Sequence, residues 1–181
     1  MGLPSMTGLV SYNSWERSIA GASEMVTSRS GKSIPGNEAQ SPTECLTKEP
    51  IGQLSASDVV SLILCGFELN DVLVMISLSD LYSKPEVTER IVGSTRRSMR
   101  RRLNQNHLIR LNAHQSAIAF QYAKILERAR GVFVKQAAAE DWLSRPCLYL
   151  EGLTPLDLID NAIGFQVVKD YLDRIEFGIY Q

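Results

Sequence analysis

The sequence predicts an all-α protein behind a flexible leader, and three observations carry that expectation. From about Ser55 onward, apolar residues recur at steps of three and four, the spacing of a buried helical face. Caps and glycines punctuate that rhythm at helix-length intervals. No stretch sustains strand alternation, apart from a short extended segment allowed at Cys147–Leu150.

Residues 1–50 read as the leader: 25 of these 50 are Gly, Pro, Ser, Thr, Asn or Gln, with scattered apolar residues and no sustained period. Val59, Val60, Leu62, Ile63 and Leu64 then mark one helical stripe and Leu69, Val72, Leu73, Ile76 and Leu78 a second, with Gly66 breaking the chain between them. At Ser83-Lys84-Pro85-Glu86 a capping box is expected to open a short helix that stops at Gly93. Ser94 is expected to cap Thr95–Leu103, and Asn104-Gln105-Asn106 reads as a turn. Asn112 and Gln115 have capping-box spacing ahead of the longest helix, which carries Ala117, Ile118, Tyr122, Ile125 and Ala129 and weakens at Gly131. Two shorter helices follow at Ala137–Leu143 and Thr154–Asn161. A last one shows Phe165, Val168, Leu172 and Ile175 and ends at Gly178.

Net charge is -1, but the charges are segregated. Residues 1–83 hold 4 basic and 9 acidic side chains, residues 84–135 hold 12 and 3, and residues 136–181 hold 3 and 8. Several chemistries are disfavoured. Gly31-Lys32-Ser33 has Val26 where a phosphate loop needs glycine. His107 and His114 have no third donor nearby, and the three cysteines, Cys45, Cys65 and Cys147, are too far apart in sequence for a Cys-x-x-Cys motif or a disulfide framework. We therefore expect no metal, no cofactor and no catalysis. No apolar run approaches the ~20 residues of a membrane span. Met1–Ala20 lacks the basic start and apolar run of a signal peptide, so a cytoplasmic protein is expected.

The positive signal is Gly93-Ser94-Thr95-Arg96-Arg97-Ser98-Met99-Arg100-Arg101-Arg102-Leu103. On a helix, Arg97, Arg100 and Arg101 share one side with Arg96 at its edge, while Met99 and Leu103 fall where a core can take them. Five arginines in seven residues repel one another, and phosphate would relieve them. The capped helix before Gly93 completes a helix-turn-helix plan. In it Ser94, Thr95, Arg96, Arg97 and Ser98 meet phosphates and base edges, and Arg100 and Arg101 the backbone. A solvated face balanced by the acidic flanks is the plain alternative.

This segment resembles the recognition segment of the Xre-like helix-turn-helix in the Xre/MbcA/ParS antitoxins. More specifically, the tail resembles their toxin-binding domain through Ala139-x-x-Trp142-Leu143-x-x-Pro146-x-x-x-Leu150-x-Gly152-x-x-Pro155, then Leu158, Gly164, Val168, Leu172, Arg174-Ile175 and Gly178. Trp142, Pro146 and Gly152 are assigned to the fold. The resemblance spans roughly residues 55–181; Cys147, where a polar residue is expected, and the long leader depart from it. It implies a type II antitoxin paired with a RES-domain toxin that attacks NAD, whose cleft the C-terminal segment blocks. Residues 51–111 would then form the DNA-binding domain, acting as a homodimer on operator DNA, and residues 112–181 the toxin-binding domain. A pocket for a dinucleotide should be basic, which suits Asp170, Asp173, Glu176 and the terminal carboxylate of Gln181 beside Phe177, Ile179 and Tyr180, with Arg174 and Gly178 in the same segment. The competing expectation is a helix-turn-helix transcriptional regulator without a toxin partner.

Overall fold

Nine α-helices and two short 3-10 turns make up the described residues, 40–104 and 109–178, of the computed structural model. The expected all-α class holds, and the one β feature among these residues is an isolated bridge between Glu68 and Arg110. In chain order the helices are α1 (Pro42–Thr47), α2 (Ala56–Cys65), α3 (Leu69–Ser77), α4 (Pro85–Val92), α5 (Arg96–Leu103), α6 (Ala113–Val132), α7 (Gln136–Ser144), α8 (Pro155–Leu158) and α9 (Ala162–Glu176).

Helix α6 is the organising element. Asn112 and Gln115 form the expected capping box at its start, the Asn112 side chain accepting from Gln115 N at 2.8 Å. Ser116, Ala119, Tyr122, Ala123, Ile125, Leu126 and Ala129 are buried along it. It packs on α1, α2 and α4 from the earlier part of the chain and on α7 and α9 from the later part. Small residues at 119, 123 and 129 let neighbours approach closely, and the core beside them is filled by Val72, Met75, Ile91, Leu143 and Leu172.

Several local expectations are corrected. The leader was expected to run to residue 50, yet Pro42–Thr47 is a helix with five buried residues. Its anchor is Glu127 of α6, which accepts from the Ser41 hydroxyl at 2.8 Å and from the Thr43 hydroxyl. The isolated composition of 1–50 hid it because both partners lie 84 or more residues apart. Residues 1–39, including Gly31-Lys32-Ser33, fall outside the described residues, as does His107.

The stripe expected on α2 is not buried: none of its residues is fully enclosed, and Val60 and Leu64 are 55% and 67% exposed. Gly66 does end that helix, at φ +83°, where a Cβ would sit 2.1 Å from the Leu111 carbonyl oxygen. Ser83 does not cap α4. Its hydroxyl donates instead to the Ile76 carbonyl at 3.3 Å, and Lys84 takes the cap position. Leu148–Leu150 is a 3-10 turn rather than extended, and the helix expected over Thr154–Asn161 covers only Pro155–Leu158, because Asn161 turns to cap α9. Phe165 is only partly enclosed, whereas Val168 and Leu172 are core as expected.

Candidate functional site

Two surfaces collect the residues singled out in the sequence. The first is α5 with the helix before it. Gly93 closes α4 in the left-handed region at φ +67°, which favours glycine, and a Cβ there would displace the end of the Gln115 side chain. The cap of α5 is Thr95 and not Ser94: the Thr95 hydroxyl accepts from Ser98 N at 3.4 Å. Ser94 is half-buried, and its hydroxyl oxygen finds no partner among the described residues.

Thr95, Arg96, Arg97, Arg100 and Arg101 are exposed together, with Ser98 half-buried among them. Met99 anchors the helix at 4% exposure, but Leu103 does not serve as the second anchor and is exposed. Two amides of the first turn are already taken, since Arg96 N donates to Glu89 Oε1 at 2.9 Å and Ser98 N to Thr95. Anion affinity at this helix start must therefore come mainly from side chains. Among the described residues, no ion pair involves the arginines of α5. The cluster thus has no counter-charge within the described residues, and its mutual repulsion is relieved by solvent and salt or by an external anion.

The second surface lies on α9. Gly164 is required near its start, because a Cβ there would be 2.1 Å from the Leu158 carbonyl oxygen. Of the acids expected to face a partner, Asp170 is exposed and accepts from Gln166 Nε2 at 2.6 Å. Asp173 and Glu176 are instead brought together around Arg128 of α6, the guanidinium donating from Nε to Asp173 at 2.7 Å and from Nη2 to Glu176. Those two carboxylates fasten α9 to α6. Arg174 lies over the Tyr149 ring at 5.1 Å from its centroid, a cation–π contact. Phe177 stands 70% exposed at the end of α9, and Gly178 follows in the left-handed region. Ile179, Tyr180 and Gln181 lie outside the described residues.

Sequence reasoning missed an aromatic run that continues this surface. Phe133 meets Trp142 at 5.8 Å between ring centroids, Trp142 meets Tyr171 at 5.7 Å, and Tyr171 stacks on Tyr149 at 4.6 Å. These rings come from four separate segments, so no periodicity in the sequence joins them. Trp142 is buried and Gly152 has φ +82°, in keeping with the structural roles expected of both, whereas Pro146 is exposed.

An arginine-rich helix behind a tight glycine turn, and a helical end with an exposed aromatic tip, are the two surfaces that the singled-out residues form. Residues 128–178 match the family model of the antitoxin Xre/MbcA/ParS C-terminal toxin-binding domain. The chain thus carries an antitoxin toxin-binding domain over α7 to α9 and the end of α6, as the resemblance of the tail implied. Comparison with curated proteins found no match. No helix among the described residues is long and apolar enough to cross a membrane, and no group of three or more His, Cys, Asp or Glu is placed to hold a metal ion.

Proposed function

We propose that the chain is a cytoplasmic antitoxin that neutralises a RES-domain, NAD-degrading toxin by inserting its C-terminal segment into the toxin's active site. The match of residues 128–178 to a toxin-binding domain carries this reading. Within that domain Phe177 at the exposed end of α9 is the natural anchor, followed by Gly178, Ile179, Tyr180 and Gln181. Asp170 is the acid left facing outward, while Asp173 and Glu176 hold α9 in position and Arg174 steadies Tyr149. The antitoxin blocks chemistry without performing any.

In the same reading residues 51–111 bind operator DNA as a homodimer and repress transcription. Thr95, Arg96, Arg97, Ser98, Arg100 and Arg101 make the contacts, with Ser94 supporting the turn. A regulator lacking a toxin partner is the second reading, favoured by the pairing of Asp173 and Glu176 inside the fold.

Co-expression with a RES-domain toxin, taken from beside the gene where one is encoded there, separates the two. Full-length chain should restore growth and NAD level, and a chain lacking Phe177–Gln181 should restore neither while still binding the enzyme. If neither version changes growth or NAD, the antitoxin reading falls.

A further inference from the structure

A groove of about 680 Å3 opens between α3, α4 and α5. Its lining divides by chemistry. Ile76 and Met99, each 4% exposed, form its deep part, with Leu73 and Leu103 beside them. Arg96, Arg97 and Arg100, all exposed, stand at its mouth.

The mouth is short of counter-charge. None of the three guanidiniums forms an ion pair among the described residues, and Glu89 spends an oxygen on the backbone amide of Arg96. The hydroxyls of Ser77, Ser83 and Thr88 also line the groove, but each donates to a carbonyl of the fold. Guanidiniums are thus the donors left to a ligand. A nucleic-acid backbone satisfies such donors but has no apolar body to occupy the space behind them. Something with both an anionic head and an apolar tail satisfies both halves of the lining.

We propose that this groove binds a small amphiphilic anion, a carboxylate or phosphate head on an apolar body of about ten carbons, which a cleft of this volume has room to hold. Its occupancy occupies Arg97 and Arg100 and so weakens DNA binding, a regulatory consequence that rests on the DNA reading given above. Linkage makes the effect reciprocal: DNA lowers affinity for the amphiphile by the same factor.

Calorimetric titration of the full-length chain tests the site, with decanoate and decyl phosphate as probes below their micelle concentrations and decanol and acetate as controls. Saturable one-to-one binding is expected from at least one amphiphilic anion, with none from decanol or acetate; the tighter of the two identifies the head group. Arg100→Ala should weaken binding roughly tenfold or more, as expected for a charge-assisted contact, and Lys135→Ala should leave it unchanged. Leu73→Trp, checked for folding by its thermal melt, should fill the groove and abolish binding. Decanol binding as well as decanoate, equal affinities in Arg100→Ala and Lys135→Ala, or no saturable heat from either anion would each overturn the site. Adding DNA from upstream of the gene tests the consequence separately. Unchanged DNA affinity at saturating amphiphile overturns the regulatory step, and failure to bind DNA at all overturns the DNA reading, while in both cases a saturable, Arg100-dependent heat upholds the site.

Discussion

Arg90 of α4 donates to one oxygen of Asp160 twice, from Nε at 3.0 Å and from Nη2 at 2.7 Å, while the other oxygen of that carboxylate receives the Tyr122 hydroxyl at 2.5 Å. Arg90 also reaches Asp157 Oδ1 at 3.0 Å and the Leu156 carbonyl at 3.2 Å. Burial, then the Asp160 hydrogen bond, pushes the Tyr122 hydroxyl far above its ordinary range, so it stays a donor. The helix ahead of the arginine cluster is thereby pinned to the loop ahead of α9. Asp160→Ala leaves a partly buried guanidinium and a buried tyrosine hydroxyl short of their acceptor. It should cost about 1–3 kcal/mol in urea unfolding, more than Asp157→Ala. Equal effects of the two substitutions would show that neither the Tyr122 contact nor the second Arg90 bond of Asp160 adds to stability.

The Asp157 carboxyl gives the network an acid dependence. The Thr154 hydroxyl holds it below its ordinary value of 3.8, burial opposes this, and Arg90 lowers it further. A folded value depressed below the unfolded one means that the stabilisation is present above about pH 4 and lost as pH falls through the folded value. Because Asp157 is largely exposed, the gain stays below about 1 kcal/mol. The stability gap between the wild type and Asp157→Asn should therefore be constant near neutrality and close on acidification, as followed by thermal melts from pH 7 to pH 3.

Two glycines in helices should respond in opposite directions to alanine. At Gly164 the new Cβ meets the Leu158 backbone at 2.1 Å, so α9 or the preceding loop must shift, at a cost of about 1–3 kcal/mol. Gly131 near the end of α6 faces open space, and Gly131→Ala should stabilise by about 0.5–1 kcal/mol through helix propensity. Circular-dichroism melts of the two variants check both signs.

For the proposed DNA contact, Arg96, Arg97, Arg100 and Arg101 neutralising one phosphate each give a slope of log K against log salt of about -3.6 per protomer. Arg97→Ala should reduce the slope by about one unit. A slope left intact by that substitution would remove Arg97 from the interface.

What could be read from the sequence is local. The Asn112 and Gln115 box, the stop at Gly93 and the Thr154 cap depend on neighbours within a few residues, and each is found. The Ser83 hydroxyl had two acceptable uses, a cap or a backward bond to Ile76, and only tertiary placement chooses between them. Burial on α2 was overestimated because apolar periodicity states what a helix is able to bury, not what its neighbours cover. In the candidate sites, the exposure of Arg97, Arg100 and Phe177 agrees with their pattern. The capture of Asp173 and Glu176 by Arg128 was invisible, since a carboxylate at position 173 carries no mark of a guanidinium 45 residues earlier.

Helix α6 has a consequence for how such chains are cut and recombined. Its buried residues are shared between helices on either side of it in sequence, and near its C-terminal end the adjacent Glu127 and Arg128 bind, respectively, the Ser41 and Thr43 hydroxyls and the Asp173 and Glu176 carboxylates, from opposite parts of the chain. A chimera that exchanges everything after residue 111 with a relative would inherit half an interior from each parent. If the proposed toxin contact holds, specificity for a new partner is more safely transplanted by replacing the exposed residues of α9 and those after it in the sequence, leaving the spine with the helices that grew around it.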